Sequence, residues 1–353
     1  MVDVLGYDVG GANTKAAYVT AKNGRLQSVQ SAVEYFPIWK DPKKLVSVLL
    51  GLKEKLGITH LDTVALTMTA ELSDAYQTKR EGANHILSCL KQAFPSIPIF
   101  VLNVGAQLEP LGSVKGLPLS VASANWAATG WIVSRHLKDC VVVDVGSTST
   151  SIIPVINGKV SAMGKTDLEK LVCGELVYTG CLRTNVAAIV ESIPTAKGLA
   201  SVSSEMFALS ADVHLALGHI SEEDYICETA DGRGKSLAEA YARLARVVCA
   251  DTDMLNAPEI RRIAQHIYDK QLLQIQEGLS KVYHYTKASA PDNVPVVVTG
   301  LGRNFLAKEA AIKIGADSIV DLAFFLPSGQ VFGTPAFGVA LMAAQMLEGA
   351  HKT

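Results

Sequence analysis

The 353-residue chain has no run of the roughly 20 apolar residues needed to span a bilayer. Its nearest approach, "GTPAFGVALMAAQMLEGA" near the C-terminus, is rich in Ala and Gly and predicts a buried helix. The N-terminus lacks the basic region and apolar stretch of a secretory signal, so a cytoplasmic location is expected. Basic charge is not in excess either. With 32 Lys and Arg against 34 Asp and Glu, the formal charge is -2, which gives no general attraction to nucleic acid or membrane. No CxxC pair occurs among the six cysteines, Cys89, Cys140, Cys173, Cys181, Cys227 and Cys249, and their apolar or helical settings predict small buried thiols. Low-complexity segments and short repeat periods are absent, which excludes solenoids and propellers.

What is present is a hydrophobic content of 49% in a chain long enough for two ordinary domains. Apolar runs ("VDVLGYDV", "TVALTM", "IPIFVLNV", "DCVVVDVG", "TSIIPVI", "VPVVVTGLG") alternate with helical patterns such as "PKKLVSVLLGLKEKLG" and "EGANHILSCLKQAF". Fully apolar strands between helices predict an α/β fold with sheets covered on both faces. Between about 197 and 290 the strand signal fades and helical patterns take over, which predicts a helical insert. Inside it, "TADGRGK" at 229–235 reads as a mobile surface loop.

Two stretches ask the same chemical question. In "VDVLGYDVGGANTK" a strand delivers Asp8 into a turn of Gly10, Gly11, Asn13 and Thr14, followed by Lys15; in "DCVVVDVGSTSTS", 136 positions on, Asp144 leads into Gly146, Ser147 and Thr148. A glycine-rich turn can aim several backbone N–H groups at one anion, because no Cβ obstructs the approach. An acid beside that anion is repulsive unless a divalent cation lies between them, so the pair predicts Mg²⁺ with a phosphoryl ligand. Ordinary hairpin turns would use glycine too. Neither turn fits the GxxxxGK[ST] or GxGxxG pattern.

"DVGGANTK", "DVGSTSTS" and "VVVTGLGRNFLA" resemble, in order, the two phosphate loops and the nucleoside-side glycine motif of the actin, sugar kinase and Hsp70 superfamily, specifically its hydantoinase and oxoprolinase branch. "GYDVGGANTKAA", "LTMTAELSDAY", "ASANWAATGW" and "LVYTGCLRTNV" are similar to the archaeal and methylotroph group linked to methanofuran and tetrahydromethanopterin one-carbon metabolism. The resemblance implies two related actin-like (ribonuclease H-like) domains with a cleft between them. They would span 1–135 and 136–353, and the last helix is a candidate to pack back on the first. It implies a condensation that joins an aminomethylfuran-methyl diphosphate to γ-glutamyltyramine as an ether and releases diphosphate. Asp8 and Asp144 would hold Mg²⁺, and Lys15, Asn13, Ser147 and Thr148 would complete the diphosphate cradle. In the same superfamily Gly300, Gly302 and Arg303 would close over a nucleoside, so ATP is a candidate ligand. An ATP-dependent kinase or ATPase, or a non-catalytic nucleotide-binding regulator, are the alternative functions.

Ether formation from a phenol needs a proton acceptor. Glu71 and Asp74 in "LTMTAELSDAY" are the candidates, one helical turn apart if the segment is helical; a surface charge and a helix-capping acid are the alternatives. "VYTGCLRT" adds Tyr178, Thr179 and Arg183, the arginine suited to a phosphate, to the glutamyl carboxylate or to a structural ion pair. His214 and His219 are poorly spaced for joint metal binding, and Asp251 and Asp253 read as caps before a helix. Trp126 and Trp131 read as core residues, with stacking of one of them on an aromatic substrate ring as the alternative. Oligomeric state is left open, a homo-oligomer included.

Overall fold

The computed structural model describes residues 1–23, 25–290, 293–327 and 333–350. These described residues divide into two compact units, one drawn from 1–139, 153–169 and 322–350, the other from 140–152 and 170–321.

In the first unit, β1 (Val2–Val9), β2 (Asn13–Lys22), β3 (Arg25–Tyr35), β4 (Thr63–Met68), β5 (Ile99–Leu102) and β6 (Leu108–Pro110) form one sheet in the order β3-β2-β1-β4-β5-β6. β1, β2 and β3 pair antiparallel, whereas β4 and β5 run parallel to β1. Every residue of β4 is buried, as a strand covered on both faces requires. Helices α1 (Leu45–Lys55), α2 (Lys79–Ala93), α3 (Leu111–Val114) and α4 (Asn125–Ser134) belong to this unit. A core of Leu5, Tyr7, Leu49, Leu66, Ile86 and their neighbours fills the space between sheet and helices.

The second sheet has the order β10-β8-β7-β13-β14. Its strands are β7 (Cys140–Val145), β8 (Thr150–Ile156), β10 (Leu176–Val177), β13 (Val296–Gly300) and β14 (Ile319–Asp321), and β9 (Lys159–Val160) pairs with β8. β13 runs parallel to both β7 and β14, so the order third-second-first-fourth-fifth of the first sheet recurs. α5 (Asp167–Cys173) precedes β10, and a small hairpin of β11 (Ser192–Thr195) and β12 (Gly198–Ser201) leads into α6 (Ser210–Leu217), α7 (Leu237–Arg246) and the long α8 (Ala257–Ser289). α8 starts where a capping box of Asn256 and Glu259, with proline in the first turn, predicts it. Asp251 accepts backbone N–H bonds from Asp253 and Met254 just before that helix. α9 is Lys308–Lys313.

The apolar C-terminal stretch forms α10 (Thr334–Ala350), which packs on β1 and β2. Gly6 makes this possible, because a Cβ there would lie 2.2 Å from the Ala336 carbonyl oxygen. No helix among the described residues is long and apolar enough to cross a membrane.

Three expectations change. The 229–235 segment is exposed in part but tied down: Asp231 pairs with Arg243 at 3.2 Å and Arg246 at 3.0 Å, and Gly234 N–H donates to Glu239. Two of the six cysteines are not buried: Cys173 is half-buried, and Cys249 is exposed, since it sits in the turn after α7 at φ +56°. Trp126 is buried, but Trp131 is only partly so, with the Arg135 guanidinium 5.9 Å above its ring.

Candidate active site

The first loop is fixed by strand register. Asp8 at the end of β1 stands opposite Lys15 on β2 and beside Thr67 on β4. Asp8 is buried, and Lys15 Nζ donates to its Oδ2 at 3.4 Å while Oδ1 has no hydrogen-bond partner. Burial pushes the carboxyl upward, and Lys15 offsets this only in part. Thr14 Oγ1 and Thr67 Oγ1 are also buried without partners. Thr67 stands in register with Asp8, so an uncompensated buried carboxylate oxygen and a threonine on the neighbouring strand suit a cation, whereas Thr14 pairs with Val9 and belongs to the other face of the sheet. Gly10 N–H donates to the Asn13 carbonyl at 3.0 Å and closes the turn, and the Gly11 carbonyl is taken by Ile38 N–H. Neither glycine has a left-handed φ; Gly10 is needed because a Cβ would lie 2.9 Å from the Asn13 oxygen.

The second loop repeats this pattern. Gly146 N–H donates to the Ser149 carbonyl at 2.9 Å, and Asp144 pairs in register with Thr299 on β13, whose Oγ1 is buried without a partner. Asp8 with Thr67 and Asp144 with Thr299 are thus equivalent pairs on equivalent strands. Gly300, at φ +85°, has no room for a Cβ, which would lie 2.6 Å from Asp144 Oδ1. Gly302 N–H donates to the Val145 carbonyl, and Arg303 opens a π-helical turn (Arg303–Ala307) with its guanidinium on Asp321 at 3.2 Å. The second loop is therefore backed by the glycine motif expected on the nucleoside side.

The segment 178–184 also comes to this loop. Cys181 N–H donates to the Gly146 carbonyl, and Leu182 and Arg183 N–H groups to that of Ser147, all at 2.9 Å. A Cβ on Gly180 would lie 2.5 Å from the Thr148 carbonyl carbon. Buried Thr179 and Gly180 are held in turn by Gln271 of α8, whose Nε2 donates to Thr179 Oγ1 at 2.9 Å and to the Gly180 carbonyl at 2.8 Å. Arg183 is half-buried, and Tyr178 is exposed.

The shared helical face expected for Glu71 and Asp74 does not form. Ala70–Leu72 is a single 3-10 turn, and Ser73 is already extended, so Glu71 is fully buried while Asp74 is exposed. Glu71 is not the surface charge of the alternative reading, and the cap of α2 is Thr78 rather than Asp74. Thr69 N–H donates to the Val9 carbonyl, which ties this turn to the first loop. Gly82 of α2 lacks the Cβ that would lie 2.5 Å from the Glu71 carbonyl oxygen, so the helix packs directly on it.

Around Glu71 lie three residues that the sequence did not single out. Ser123 Oγ is 2.5 Å from Glu71 Oε1 and 2.8 Å from Asp167 Oδ2. Lys79 Nζ donates to Ser123 Oγ at 3.2 Å and to Asp167, and stands 4.0 Å from Glu71 Oε1. Glu71 Oε2 has no partner, and burial raises the Glu71 pKa despite Ser123 and Lys79. Lys79 and Ser123 do fall in or beside strings that carry the family resemblance, but Asp167 has no sequence signal beyond its place at a helix start.

His214 and His219 meet through Nδ1 atoms 3.2 Å apart, packed against Phe305 and Tyr268. Burial lowers His214 to about 3, so it is a neutral core residue.

The chain is 37% identical, over 98% of both chains, to "(4-{4-[2-(gamma-L-glutamylamino)ethyl]phenoxymethyl}furan-2-yl)methanamine synthase" of Methanocaldococcus jannaschii. A protein of the same name from Methanococcus vannielii is 35% identical over 60% of this chain and 93% of its own. Nucleotide-free acetone carboxylase, at 10% identity, superposes with a TM-score of 0.61 over 96% of this chain and 70% of its own, a likeness of fold alone. The Hydantoinase/oxoprolinase family pattern matches residues 62–346, and the chain belongs to the hydantoinase/oxoprolinase family.

Proposed function

We propose that this protein is an ether-forming synthase of methanofuran biosynthesis, which condenses an aminomethylfuran-methyl diphosphate with γ-glutamyltyramine and releases diphosphate. The observation that carries this reading is the 37% identity to the Methanocaldococcus jannaschii synthase across 98% of both chains. The product in that name contains a phenoxymethyl-furan, the bond that a phenol oxygen makes on displacing a leaving group from a furan methylene.

The reaction asks the protein to stabilise a departing polyanion and to accept one proton. Lys15 places a positive charge at Asp8, and the Gly-Ser-Thr turn after β7 offers hydroxyls of Ser147 and Thr148. Asp8, with its unpartnered Oδ1, is the residue of the first loop that would hold Mg²⁺, and Asp144 is its counterpart in the second. Bound there, Mg²⁺ would supply charge neutralisation for a leaving diphosphate. The electron-rich furan would share the positive charge that develops on the methylene carbon, so leaving-group stabilisation dominates the barrier.

Calorimetric titration tests the assignment. Mg²⁺ with diphosphate is expected to bind the wild-type protein, and Lys15→Ala to weaken that binding about tenfold, the effect of roughly one charge-assisted hydrogen bond. Tight binding of Mg²⁺ with ATP and none of Mg²⁺ with diphosphate would contradict it in favour of a kinase or ATPase.

A further inference from the structure

The Glu71 cluster has a proton count that can be read from its geometry. A serine hydroxyl offers one donor and two acceptor positions. Ser123 Oγ has three polar neighbours: Glu71 Oε1 at 2.5 Å, Asp167 Oδ2 at 2.8 Å and the Lys79 ammonium at 3.2 Å. The ammonium can only donate, which leaves one acceptor position and the one proton for two carboxyl groups. One of them must therefore bring a proton of its own. Lys79 pairs directly with Asp167, whose side chain is 21% exposed, whereas Glu71 has no exposure at all and an unpartnered Oε2. The proton is assigned to Glu71 and the charge to Asp167, since a negative charge costs more on the fully buried carboxyl, with one oxygen unpartnered, than on the partly exposed one paired directly with Lys79.

Further features show that the arrangement is built rather than incidental. Ser123 sits at φ +51°, a left-handed conformation that a non-glycine residue adopts at a cost. Its backbone is thereby bent to bring the hydroxyl between two acids from distant segments. Gly82 lets α2 close on Glu71, and the same helix delivers Lys79 from its first turn.

We propose that Glu71, Ser123 and Asp167 form a proton relay clamped by Lys79, with Glu71 as the buried proton-carrying end and Asp167 as the end that exchanges with solvent. In the outward step the Glu71 Oε1–H bond breaks as a Ser123 Oγ–H bond forms, and the proton that Ser123 held passes to Asp167 Oδ2. One carboxylate is exchanged for another, the hydroxyl is regenerated, and Lys79 keeps its charge throughout. Asp167 then gives its proton to water. Resting on the function proposed above, the Glu71 carboxylate left by this step is the acceptor for the phenolic proton, and a second outward step resets it. Ser123, Asp167 and Lys79 are positioning residues in this scheme.

Difference infrared spectroscopy tests the relay without relying on activity. At pH 7 the wild-type protein should show the carbonyl stretch of a protonated carboxylic acid, sensitive to D₂O, and Glu71→Gln should abolish it. Ser123→Gly removes the hydroxyl and relieves the backbone strain, so it should fold; the band should remain but shift as its hydrogen bond is lost. The same variant should lower kcat for ether formation at least tenfold with KM unchanged. Spectra of wild type and Glu71→Gln that are identical in this region would overturn the relay, as would a Ser123→Gly variant with wild-type kcat and an unshifted band. A wild-type protein that shows the band but makes no ether would instead count against the proposed reaction and leave the relay standing.

Discussion

Asp8 concentrates the argument about charge. A buried carboxylate with one oxygen on Lys15 and the other unpartnered is costly for the folded protein unless a ligand compensates it. Replacing it with Asn keeps the shape and removes the charge, so stability should change by less than about 1 kcal/mol or even rise. If Asp8 serves to bring a cation to the leaving group, kcat for Asp8→Asn should nonetheless fall by about 100-fold or more. Parallel denaturation and steady-state measurements check both halves, and an Asp8→Asn enzyme with wild-type kcat would remove Asp8 from the chemistry. The acids and glycines of both loops were readable in the sequence because each motif lies within a few consecutive positions. Ser123, Lys79 and Asp167 were not, since three separate segments supply them and only folding brings them to Glu71.

Strands and turns explain why the loops hold their shape. Apolar β1, β4, β7 and β13 were readable as strands because burial on both faces leaves no polar position in most of their length. β3 escaped that reading: most of its residues are exposed, and it is held by antiparallel pairing with β2 rather than by a buried side-chain face. The condition for Glu71 and Asp74 to share a face, a helical segment, is not met: there is a single turn, because Ser73 is extended and the chain restarts at the Thr78 cap. The second loop rests on 178–184, where Gly180 packs against it with no room for a Cβ. Gly180→Ala would drive a Cβ into the Thr148 backbone at 2.5 Å, where no flexible side chain can yield. We expect a loss of about 1–3 kcal/mol and a weakening of diphosphate binding by at least about tenfold. Gly51→Ala, in α1 with open space around it, should instead be neutral or slightly stabilising, by up to about 1 kcal/mol. Thermal denaturation with calorimetry compares the two, and a Gly180→Ala protein indistinguishable from wild type would show that the contact does not shape the loop.

The whole chain is a duplication in chemical as well as topological terms. Each unit carries an acid at the next-to-last position of its first strand, beside a threonine of the next parallel strand, and each follows that strand with a turn closed by a glycine N–H. The sequence carried this duplication through two short motifs, while the matching strand order and the paired threonines needed the fold. The substrates proposed for this protein rest on the likeness to the methanamine synthases. The most direct measurement is turnover by the purified protein with Mg²⁺, the aminomethylfuran-methyl diphosphate and γ-glutamyltyramine, followed by mass spectrometry of the organic product and assay of diphosphate. The expected products are the phenoxymethyl-furan ether and one diphosphate per ether, with no need for ATP. No ether from these substrates, together with ATP consumption when a small-molecule acceptor is added, would contradict this expectation.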